Sequence, residues 1–360
     1  MTVSLCVVAY NEEQFLPNLL RDLEAQTYPH DLTEIVLIDG VSSDSTKQIM
    51  KDFAEKATSF YSVQVLDNPD RVQAAGWNVA IANAKSDVII RIDAHTHIPA
   101  EFTAKNMALQ EKGEYVTGGV RPCLIDNPTP WKETLLEVEN SMFGSSISKG
   151  RKNTKASYVK SMFHAAYRRE VFEKAGNFNP KLLRTEDNEM HYRIREAGYK
   201  LYCDPDIVSY QYARSDLKKM IKQKYGNGYW VGLTLGICPG CISLFHLVPL
   251  AFVLGIVFTT ILALFSFWYL SAVMWIAYAL FVVTGTVCTI INKKATRWTF
   301  LMPALFLIMH ISYGIGTLVG IINIVPLRIR GGVILCNTLY TYSAKKLTLY
   351  GYLAKAWCPA

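Results

Sequence analysis

Charged residues are absent from one long stretch of this chain. The 360 residues include 37 lysines and arginines and 30 aspartates and glutamates, but none of these lies within 242–291. One membrane crossing needs about 20 apolar residues, so this stretch predicts two crossings, near 243–265 and 268–291. A third apolar stretch, near 299–325, contains proline and glycine, and it is predicted to form either one crossing or a re-entrant pair. A wholly water-soluble protein is therefore not expected.

The chain also lacks the cysteine pattern of a disulfide-stabilised or zinc-binding protein. Its eight cysteines are scattered, and several lie in apolar runs, which favours a reducing compartment. Cys238 and Cys241 form a Cys-x-x-Cys pair, but no second pair follows, so we expect no metal or redox site there. The first residues show no basic segment followed by an apolar one, and no signal peptide is expected.

Nucleic-acid binding is not indicated, although the net charge is +7. The sequence has neither an arginine-rich helix nor an aromatic RNA-binding pattern. In a chain with apolar crossings, an excess of positive charge more simply indicates the cytoplasmic face of a membrane and contact with anionic lipid. The basic segment 215–240, in which apolar residues are interleaved, is predicted to lie on the membrane surface.

Strands and helices alternate through the first part of the sequence. Four short runs rich in β-branched residues are separated by segments with helical spacing, at 3–9, 34–39, 62–66 and 88–92. This alternation predicts an α/β sheet of mainly parallel strands, in which ligands bind at the carboxyl ends of the strands. Tyr10, Asp39 and Asp93 all lie at such ends, so we expect them to contribute to one site.

The strand 88–92 is followed by Asp93 and, two residues later, His95. Residues two apart in a strand point to the same side, so both side chains could hold one divalent cation if the strand continued through Ala94. A carboxylate beside an imidazole suits Mn²⁺ or Mg²⁺. The alternative is a strand end with a solvated aspartate. His97 is expected at the surface or next to a metal ligand, without binding the cation itself.

Five motifs, in order and spacing, make residues 3–210 resemble a family 2 glycosyltransferase. The motifs are Val7-Val8-Ala9-Tyr10-Asn11-Glu12-Glu13, Leu37-Ile38-Asp39-Gly40-Val41-Ser42-Ser43-Asp44-Ser45-Thr46, Arg91-Ile92-Asp93-Ala94-His95, Ala165-Ala166-Tyr167-Arg168-Arg169-Glu170-Val171-Phe172 and Thr185-Glu186-Asp187-Asn188-Glu189. The Asp-Ala-His variant, followed by apolar helices, is most similar to the branch that builds succinoglycan-type exopolysaccharides. The resemblance implies a GT-A fold, which is a Rossmann-like mixed sheet.

The resemblance also implies roles for individual residues in binding a nucleotide sugar. Ala9, Tyr10 and Glu12 would line the uridine pocket, Asp39 would accept from the base, and Arg71 would contact the nucleotide. Asp93 and His95 would hold the metal on the diphosphate, where it neutralises charge on the leaving group. The family more often has aspartate where His95 stands. From the local sequence alone, Tyr10 could equally well be a core residue, and Glu12 could equally well place a favourable charge at a helix N-terminus.

Asp187 is predicted as the general base that takes the proton of the attacking hydroxyl, with Glu186 beside it. Direct attack opposite the leaving group inverts the anomeric centre, and the sequence shows no nucleophile and histidine arrangement for a covalent intermediate. The alternative is that both acids favour the N-terminus of the following helix.

These inferences combine into one prediction for the whole chain. It divides into a catalytic domain (1–214), an interfacial segment (215–240), transmembrane helices (241–326) and a tail (327–360). We expect a multi-pass plasma-membrane enzyme with its catalytic domain on the cytoplasmic face. It would transfer hexose from a UDP-sugar, UDP-glucose being one candidate, to a polyprenyl-diphosphate-linked glycan in exopolysaccharide, capsule or other cell-surface glycan synthesis, alongside other glycan-assembly proteins.

Three alternatives remain at this stage. A processive polysaccharide synthase is disfavoured because the arginine of its Gln-x-x-Arg-Trp motif is missing before Trp230. A transferase acting directly on polyprenyl phosphate belongs to the same class of enzyme. A non-catalytic membrane scaffold belongs to another class, and the presence of Asp39, Asp93 and Asp187 together argues against it.

Overall fold

The computed structural model describes residues 1–125, 127–141, 143–144, 154–212, 216–292 and 295–329, with the side chains of 292 and 325–329 excepted. These residues form two compact units. Unit 1 takes the described residues of 1–124 and 149–212, and unit 2 takes those of 125–148 and 213–359. The basic run Lys149-Gly150-Arg151-Lys152, which the sequence predicts to be an exposed loop, and residues 330–360 of the predicted tail lie outside the described residues.

Unit 1 is built on two sheets, and its elements alternate as the sequence predicts. Its strands are β1 (Val3–Ala9), β2 (Thr33–Asp39), β3 (Ser62–Asp67), β4 (Val88–Asp93), β5 (Thr96–His97), β6 (Val116–Val120), β7 (Cys123–Leu124), β8 (Ser157–Val159), β9 (Phe163–Arg168), β10 (Leu201–Val208) and β11 (Tyr210–Tyr212). Its helices are α1 (Leu16–Glu24), α2 (Thr46–Lys56), α3 (Gln73–Asn83), α4 (Phe102–Glu111), α6 (Arg169–Ala175) and α7 (Glu186–Glu196), while α5 (Pro130–Asn140) belongs to unit 2.

The larger sheet has eight strands in the order β3-β2-β1-β4-β9-β6-β10-β8. Strands β1 to β4 are parallel, whereas β9 runs antiparallel to β4 and β6, so the sheet is mixed. Ala9 lies opposite Asp39, and Val8 opposite Asp93, so the carboxyl ends of β1, β2 and β4 meet at one edge. This register places the polar strand ends together, as expected for a parallel α/β arrangement.

Both faces of the sheet are covered, which is why its strands are continuous apolar runs. Helices α1, α2 and α4 pack on one face, and α3, α6 and α7 on the other. In α1 the leucines at positions 16, 19, 20 and 23 are buried, which is the spacing of one helix face. Burying each leucine stabilises the fold by about 2 kcal/mol relative to exposure.

The strand predicted at 88–92 is present, but the condition that it continue through Ala94 is not met, and the start of one helix differs from the prediction. Strand β4 ends at Asp93, and the chain turns at Ala94 and His95 instead of continuing as a strand. Helix α7 begins at Glu186, two residues before the predicted start at Asn188, so the Glu-Asp pair forms its first turn. Both differences arise where polar side chains take over the local hydrogen bonding, which apolar periodicity does not report.

Unit 2 consists of α5 and the helices α8 (Leu217–Ile237), α9 (Val248–Leu264), α10 (Trp268–Asn292) and α11 (Met302–Ile329). In the part of the chain that the structure describes, three helical spans are long and apolar enough to cross a membrane: Leu244–Leu264, Trp268–Ile291 and Thr299–Ile324. Helix α11 is unbroken through the proline and glycines that left a re-entrant pair open in the sequence prediction.

Helices α8 and α11 pack backbone to backbone through their glycines. A Cβ built at Gly232 would overlap the carbonyl oxygen of Thr317, and one at Gly320 would overlap that of Tyr229. Small residues that let backbones approach closely are typical of helix packing in membranes. Helix α8 thus lies within the predicted surface segment 215–240, and one of its faces packs on α11.

Candidate active site

The loops that follow β1 and β2 are joined by side-chain to backbone hydrogen bonds. Asn11 Oδ1 accepts from the amide of Ser43 at 2.8 Å, and Thr46 Oγ1 accepts from the amide of Glu12 at 2.8 Å. Both loops therefore form one wall at the carboxyl edge of the sheet, and neither can move without breaking these bonds.

The predicted nucleotide-binding residues lie along this wall. Ala9 and Asp39 are buried at the strand ends, and both carboxylate oxygens of Asp39 lie 3.2 Å from the amide of Ser42. Tyr10 is 44 % exposed, so its ring is accessible to a ligand. Arg71 is exposed on the turn after β3.

Backbone strain is concentrated at the same edge. Five non-glycine residues of unit 1 adopt the left-handed region, with φ between 48° and 68°: Asn11, Val41, Arg71, His164 and Thr185. A β-branched residue such as valine rarely adopts this conformation, and each such residue costs about 1–3 kcal/mol. Strained residues persist where the surrounding structure over-determines them, and they are frequent at binding and catalytic sites.

Asp93 is buried among positively polarised groups. His164 Nε2 lies 3.2 Å and Arg121 Nη1 3.7 Å from Oδ2, and the side-chain amide of Gln73 donates to Oδ1 at 3.1 Å. Burial alone would raise the pKa of Asp93, but the hydrogen bond from His164 and the nearby charge of Arg91 hold it well below its ordinary value. The carboxylate is therefore ionised and ready to attract a cation.

His95 is held from both sides. Its Nδ1 lies 3.1 Å from Glu12 Oε1, and its Nε2 lies 3.0 Å from the side-chain amide nitrogen of Gln211 in β11. With Nδ1 donating to the carboxylate, the lone pair of Nε2 accepts from Gln211. Glu12 therefore orients His95 in this structure. His97, predicted at the surface, contacts Asp22 at 2.8 Å and is part-buried.

Glu186 and Asp187 lie in the first turn of α7. Glu186 is buried, Asp187 is half-buried, and Arg91 Nη1 of β4 lies 3.8 Å from Glu186 Oε1. Burial, reinforced by the charge of Asp187, raises the pKa of Glu186 to about 8, and Arg91 opposes this shift. Two adjacent carboxyl groups thus differ in environment: one is buried beside a cation, and the other reaches toward solvent.

Comparison with known proteins identifies the family. The family model described as glycosyl transferase family 2 matches residues 4–176. A succinoglycan biosynthesis protein, ExoA of Rhizobium meliloti, is 31 % identical over 232 residues, which cover 63 % of this chain and 68 % of that protein. The chain belongs to glycosyl transferase family 2.

Two further relatives extend this comparison along the chain. A dolichyl N-acetyl-alpha-D-glucosaminyl phosphate 3-beta-D-2,3-diacetamido-2,3-dideoxy-beta-D-glucuronosyltransferase of Methanococcus voltae is 24 % identical over 332 residues, covering 87 % of this chain and 95 % of that one. A solved mannosyltransferase of Pyrobaculum calidifontis, in complex with GDP-Man and Mn²⁺, is 18 % identical with a TM-score of 0.56, covering 88 % and 86 % of the two chains. The mixed sheet of this glycosyltransferase is thus confirmed as a GT-A fold.

The structure brings most of the predicted site residues to one edge of the sheet, and it adds others that the sequence reading missed. Gln73, Arg121, His164 and Gln211 contact Asp93 or His95 from positions 20 to 116 residues away in the chain. Apolar periodicity carries no signal for such contacts. Arg91 is a charged residue inside an apolar strand, and this feature of the sequence could have indicated that it belongs to the site.

A metal in this glycosyltransferase would need ligands from outside the protein. Among the described residues, no group of three or more His, Cys, Asp and Glu side chains is placed to hold an ion. Asp93 offers a hard, ionised oxygen, and Glu12 fixes His95 as a carboxylate fixes a ligand histidine. Because strand β4 ends at Asp93, strand alternation does not align these two side chains. The donor chemistry nevertheless fits Mn²⁺ or Mg²⁺ whose remaining ligands are phosphate and water oxygens.

Proposed function

We propose that this family 2 enzyme transfers one sugar, with inversion, from a UDP-sugar to a lipid-linked glycan acceptor. The observation that supports the proposal is that Asp39 and Asp93 lie at aligned strand ends of the unit that also contains the Glu186–Asp187 pair, with Arg91 of the Asp93 strand beside Glu186. Base recognition, diphosphate binding and proton removal each need one of these groups.

The donor side of the proposal rests on the wall formed by the first two loops. Asp39 would accept a hydrogen bond from a ring N–H of uracil, and an analogue without that donor would leave the buried carboxylate without this partner. Tyr10 offers an exposed ring for the base, and Ala9 leaves room beside it. Glu12 would also line this pocket, and its carboxylate orients His95. Arg71 would contact the nucleotide from the neighbouring turn.

The diphosphate side rests on Asp93 and His95. These residues would hold Mn²⁺ or Mg²⁺, which when bound supplies a Lewis acid that neutralises charge on the leaving nucleoside diphosphate. His164 and Gln73 keep the Asp93 carboxylate in one orientation, because each contacts a different oxygen. Displacement of the Gln211 amide would free His95 Nε2.

The acceptor side rests on the first turn of α7. Asp187 would take the proton from the acceptor hydroxyl as that oxygen attacks the anomeric carbon. Glu186, buried beneath, would orient the acceptor or adjust the basicity of Asp187. Attack from the face opposite the diphosphate then inverts the anomeric configuration in one step.

The lipid-linked acceptor is supported by unit 2 and by relatives. Three apolar spans long enough to cross a membrane follow the catalytic unit in the chain, so a tethered enzyme would meet acceptors that are themselves held in the membrane. The name of the Methanococcus voltae relative describes a dolichyl phosphate-linked acceptor, and that of ExoA describes succinoglycan synthesis. We extend both features to this enzyme, with its catalytic unit on the cytoplasmic face of the plasma membrane.

The test measures nucleotide release from candidate donors with a polyprenyl-diphosphate-linked glycan and Mn²⁺. Donors are first chosen by the thermal stabilisation that they produce with and without Mn²⁺. We expect Asp187→Asn to lower kcat about 1,000-fold, since removing a general base costs about 10²–10⁴-fold. The matched control is Asp206→Asn, which changes an exposed carboxylate of β10 and should retain turnover. An active Asp187→Asn enzyme would remove the base assignment, and an inert wild-type protein would favour the scaffold alternative.

A further inference from the structure

Arg91 is a buried cation at the centre of the candidate site. It lies in β4, is 5 % exposed, and its guanidinium carbon lies 5.2 Å from the Trp77 ring and 5.5 Å from the Phe178 ring. Removing a charge from water is costly unless it is compensated by partners of opposite charge. A leucine or methionine would fill the same space between two rings, so packing alone does not account for an arginine here.

The hydrogen bonds of Arg91 show that it acts mainly as a charge. Its Nε and Nη1 atoms are buried and have no hydrogen-bond partner among the described residues. The Nη1 to Glu186 Oε1 distance of 3.8 Å is an ion pair longer than a hydrogen bond. Arg169 shows the contrast, because its Nε and Nη2 donate to the carbonyls of Ala84 and Ser86 at 2.7–3.0 Å. Arg169 is a structural tether, and Arg91 is not.

The position of Arg91 connects the two ends of the site. Asp93, two residues along the same strand, is expected on the same side of the sheet. Glu186 is the buried member of the carboxyl pair on α7, and Asp187 reaches outward beside it. One buried cation therefore faces the carboxylate assigned to the donor and the pair assigned to the acceptor.

We infer that Arg91 is a positioning residue that acts on Asp187 through Glu186. The Arg91 guanidinium lies against the buried Glu186 side chain and holds that carboxyl group in place, so that Glu186 supports Asp187 at the acceptor hydroxyl. This inference rests on the proposed function, because it assigns Arg91 a part in the same transfer reaction. It predicts that loss of the charge slows turnover without weakening donor binding.

The experiment is a double-mutant cycle between Arg91→Met and Glu186→Gln. Methionine keeps the apolar stem between the two rings and removes the charge. We expect Arg91→Met to lower kcat about 100-fold with KM for the donor within about threefold, and Arg91→Lys to stay within about tenfold of wild type. In a Glu186→Gln background, Arg91→Met should change kcat less than about threefold, because residues that act through one another are not additive.

The matched control is Arg193→Met, which removes an ion pair with Glu189 in the same helix at 2.7 Å. Its effect should add to that of Glu186→Gln. Donor-induced thermal stabilisation checks that each variant is folded. If Arg91→Met does not fold, a cycle between Arg91→Lys and Glu186→Gln tests the inference instead. An additive cycle, an Arg91→Met enzyme at wild-type kcat, or an Arg91→Lys loss as large as that of Arg91→Met would overturn the inference. Inactive wild-type protein would instead count against the proposed function.

Discussion

The two units of this glycosyltransferase hold their elements together in different ways. In unit 1, aliphatic side chains interlock between a mixed sheet and helices on both of its faces. In unit 2, α8 and α11 meet at glycines, where a Cβ at Gly228 or Gly316 would overlap a backbone carbonyl of the other helix. The first mode depends on side-chain volume, and the second depends on having no side chain at all.

The units also differ in where they bury charge. Unit 1 concentrates buried ionisable groups at its carboxyl edge, including Arg91, Asp93, Arg121 and Glu186. In unit 2, Lys224 of α8 and Glu139 of α5 form a buried ion pair at 2.9 Å that joins two helices. Buried charges seldom stabilise a fold relative to apolar residues of the same size. We therefore expect the edge of unit 1 to serve chemistry and the glycine faces of unit 2 to serve assembly.

The largest expected effect is on turnover, from Asp93→Asn. Asparagine keeps the size of the side chain but removes the charge that the proposal assigns to the metal and diphosphate. We expect kcat/KM to fall about 1,000-fold, equivalent to about 4 kcal/mol of transition-state stabilisation. Nucleotide release with Mn²⁺ measures this loss. Thermal unfolding is followed in parallel, because the variant also weakens the buried contacts of Asp93 to Arg121 and His164.

Asp87→Asn is the control for that variant, because Asp87 precedes the opposite end of the same strand and accepts from the amide of Thr2 at 2.8 Å. It should retain turnover. Equal losses of kcat/KM in both variants would show that a carboxylate at either end of β4 matters only for the fold. The carboxyl edge of unit 1 would then have no special part in the chemistry.

The second effect is on stability, from Gly232→Leu in unit 2. A leucine there meets the backbone of α11 at Thr317 and Gly320, and neither backbone atom is free to move aside. We expect a cost of about 3 kcal/mol or more, since overpacking of a close contact costs about 1–3 kcal/mol even among side chains. The measurement is thermal unfolding in detergent micelles, with donor-induced stabilisation of unit 1 followed in parallel.

Gly255→Ala provides the matched change in a neighbouring helix. A Cβ there has only Met274 Sδ nearby, at 3.6 Å, which is an ordinary contact. Alanine should leave stability unchanged or raise it slightly, because it lowers the entropy of the unfolded chain. If Gly232→Leu behaved like Gly255→Ala, the contact between α8 and α11 would not hold unit 2 together.

The sequence predicted what local pattern determines. The strands of unit 1 were found because residues buried on both faces form apolar runs, and Asp39 and Asp93 were placed at the site because they end such runs. The Glu186–Asp187 pair was assigned from the resemblance. The sequence placed it just before the following helix, whereas the structure includes it in the first turn of α7. The local sequence pattern therefore predicts the helices, the strands and the strand ends, but it does not predict where the polar turns begin and end.

Contacts between distant residues were beyond such prediction. His95 meets Glu12 across 83 residues and Gln211 across 116, and no periodicity relates these positions. The glycines of α8, spaced four apart at 228, 232 and 236, were visible in the sequence. That spacing indicates a close helix contact, but the partner helix, about 88 residues further along, is known only from the structure.

The smallest expected effect comes from the pH dependence of stability at Glu186. Its ordinary pKa of 4.5 is raised to about 8 in the folded protein by burial and by the charge of Asp187. Between these values the folded state binds more protons than the unfolded state, so stability falls as pH rises through this window. Glu186→Gln has no carboxyl group to ionise, so its stability does not fall in this window. Its free energy of unfolding should therefore rise relative to that of wild type from pH 5 to pH 8, by at least about 1 kcal/mol, and the difference should stay constant above pH 8.

Thermal unfolding midpoints of both proteins across this pH range measure the effect, and 1 kcal/mol corresponds to about 2–4 °C for a unit of this size. Glu196→Gln, at the exposed end of the same helix, should show no such divergence from wild type. A constant difference between Glu186→Gln and wild type at all pH values would mean that Arg91 fully compensates the Glu186 charge. The edge of unit 1 would then carry no electrostatic cost at this residue, and strain at the left-handed residues would be the cost that remains there.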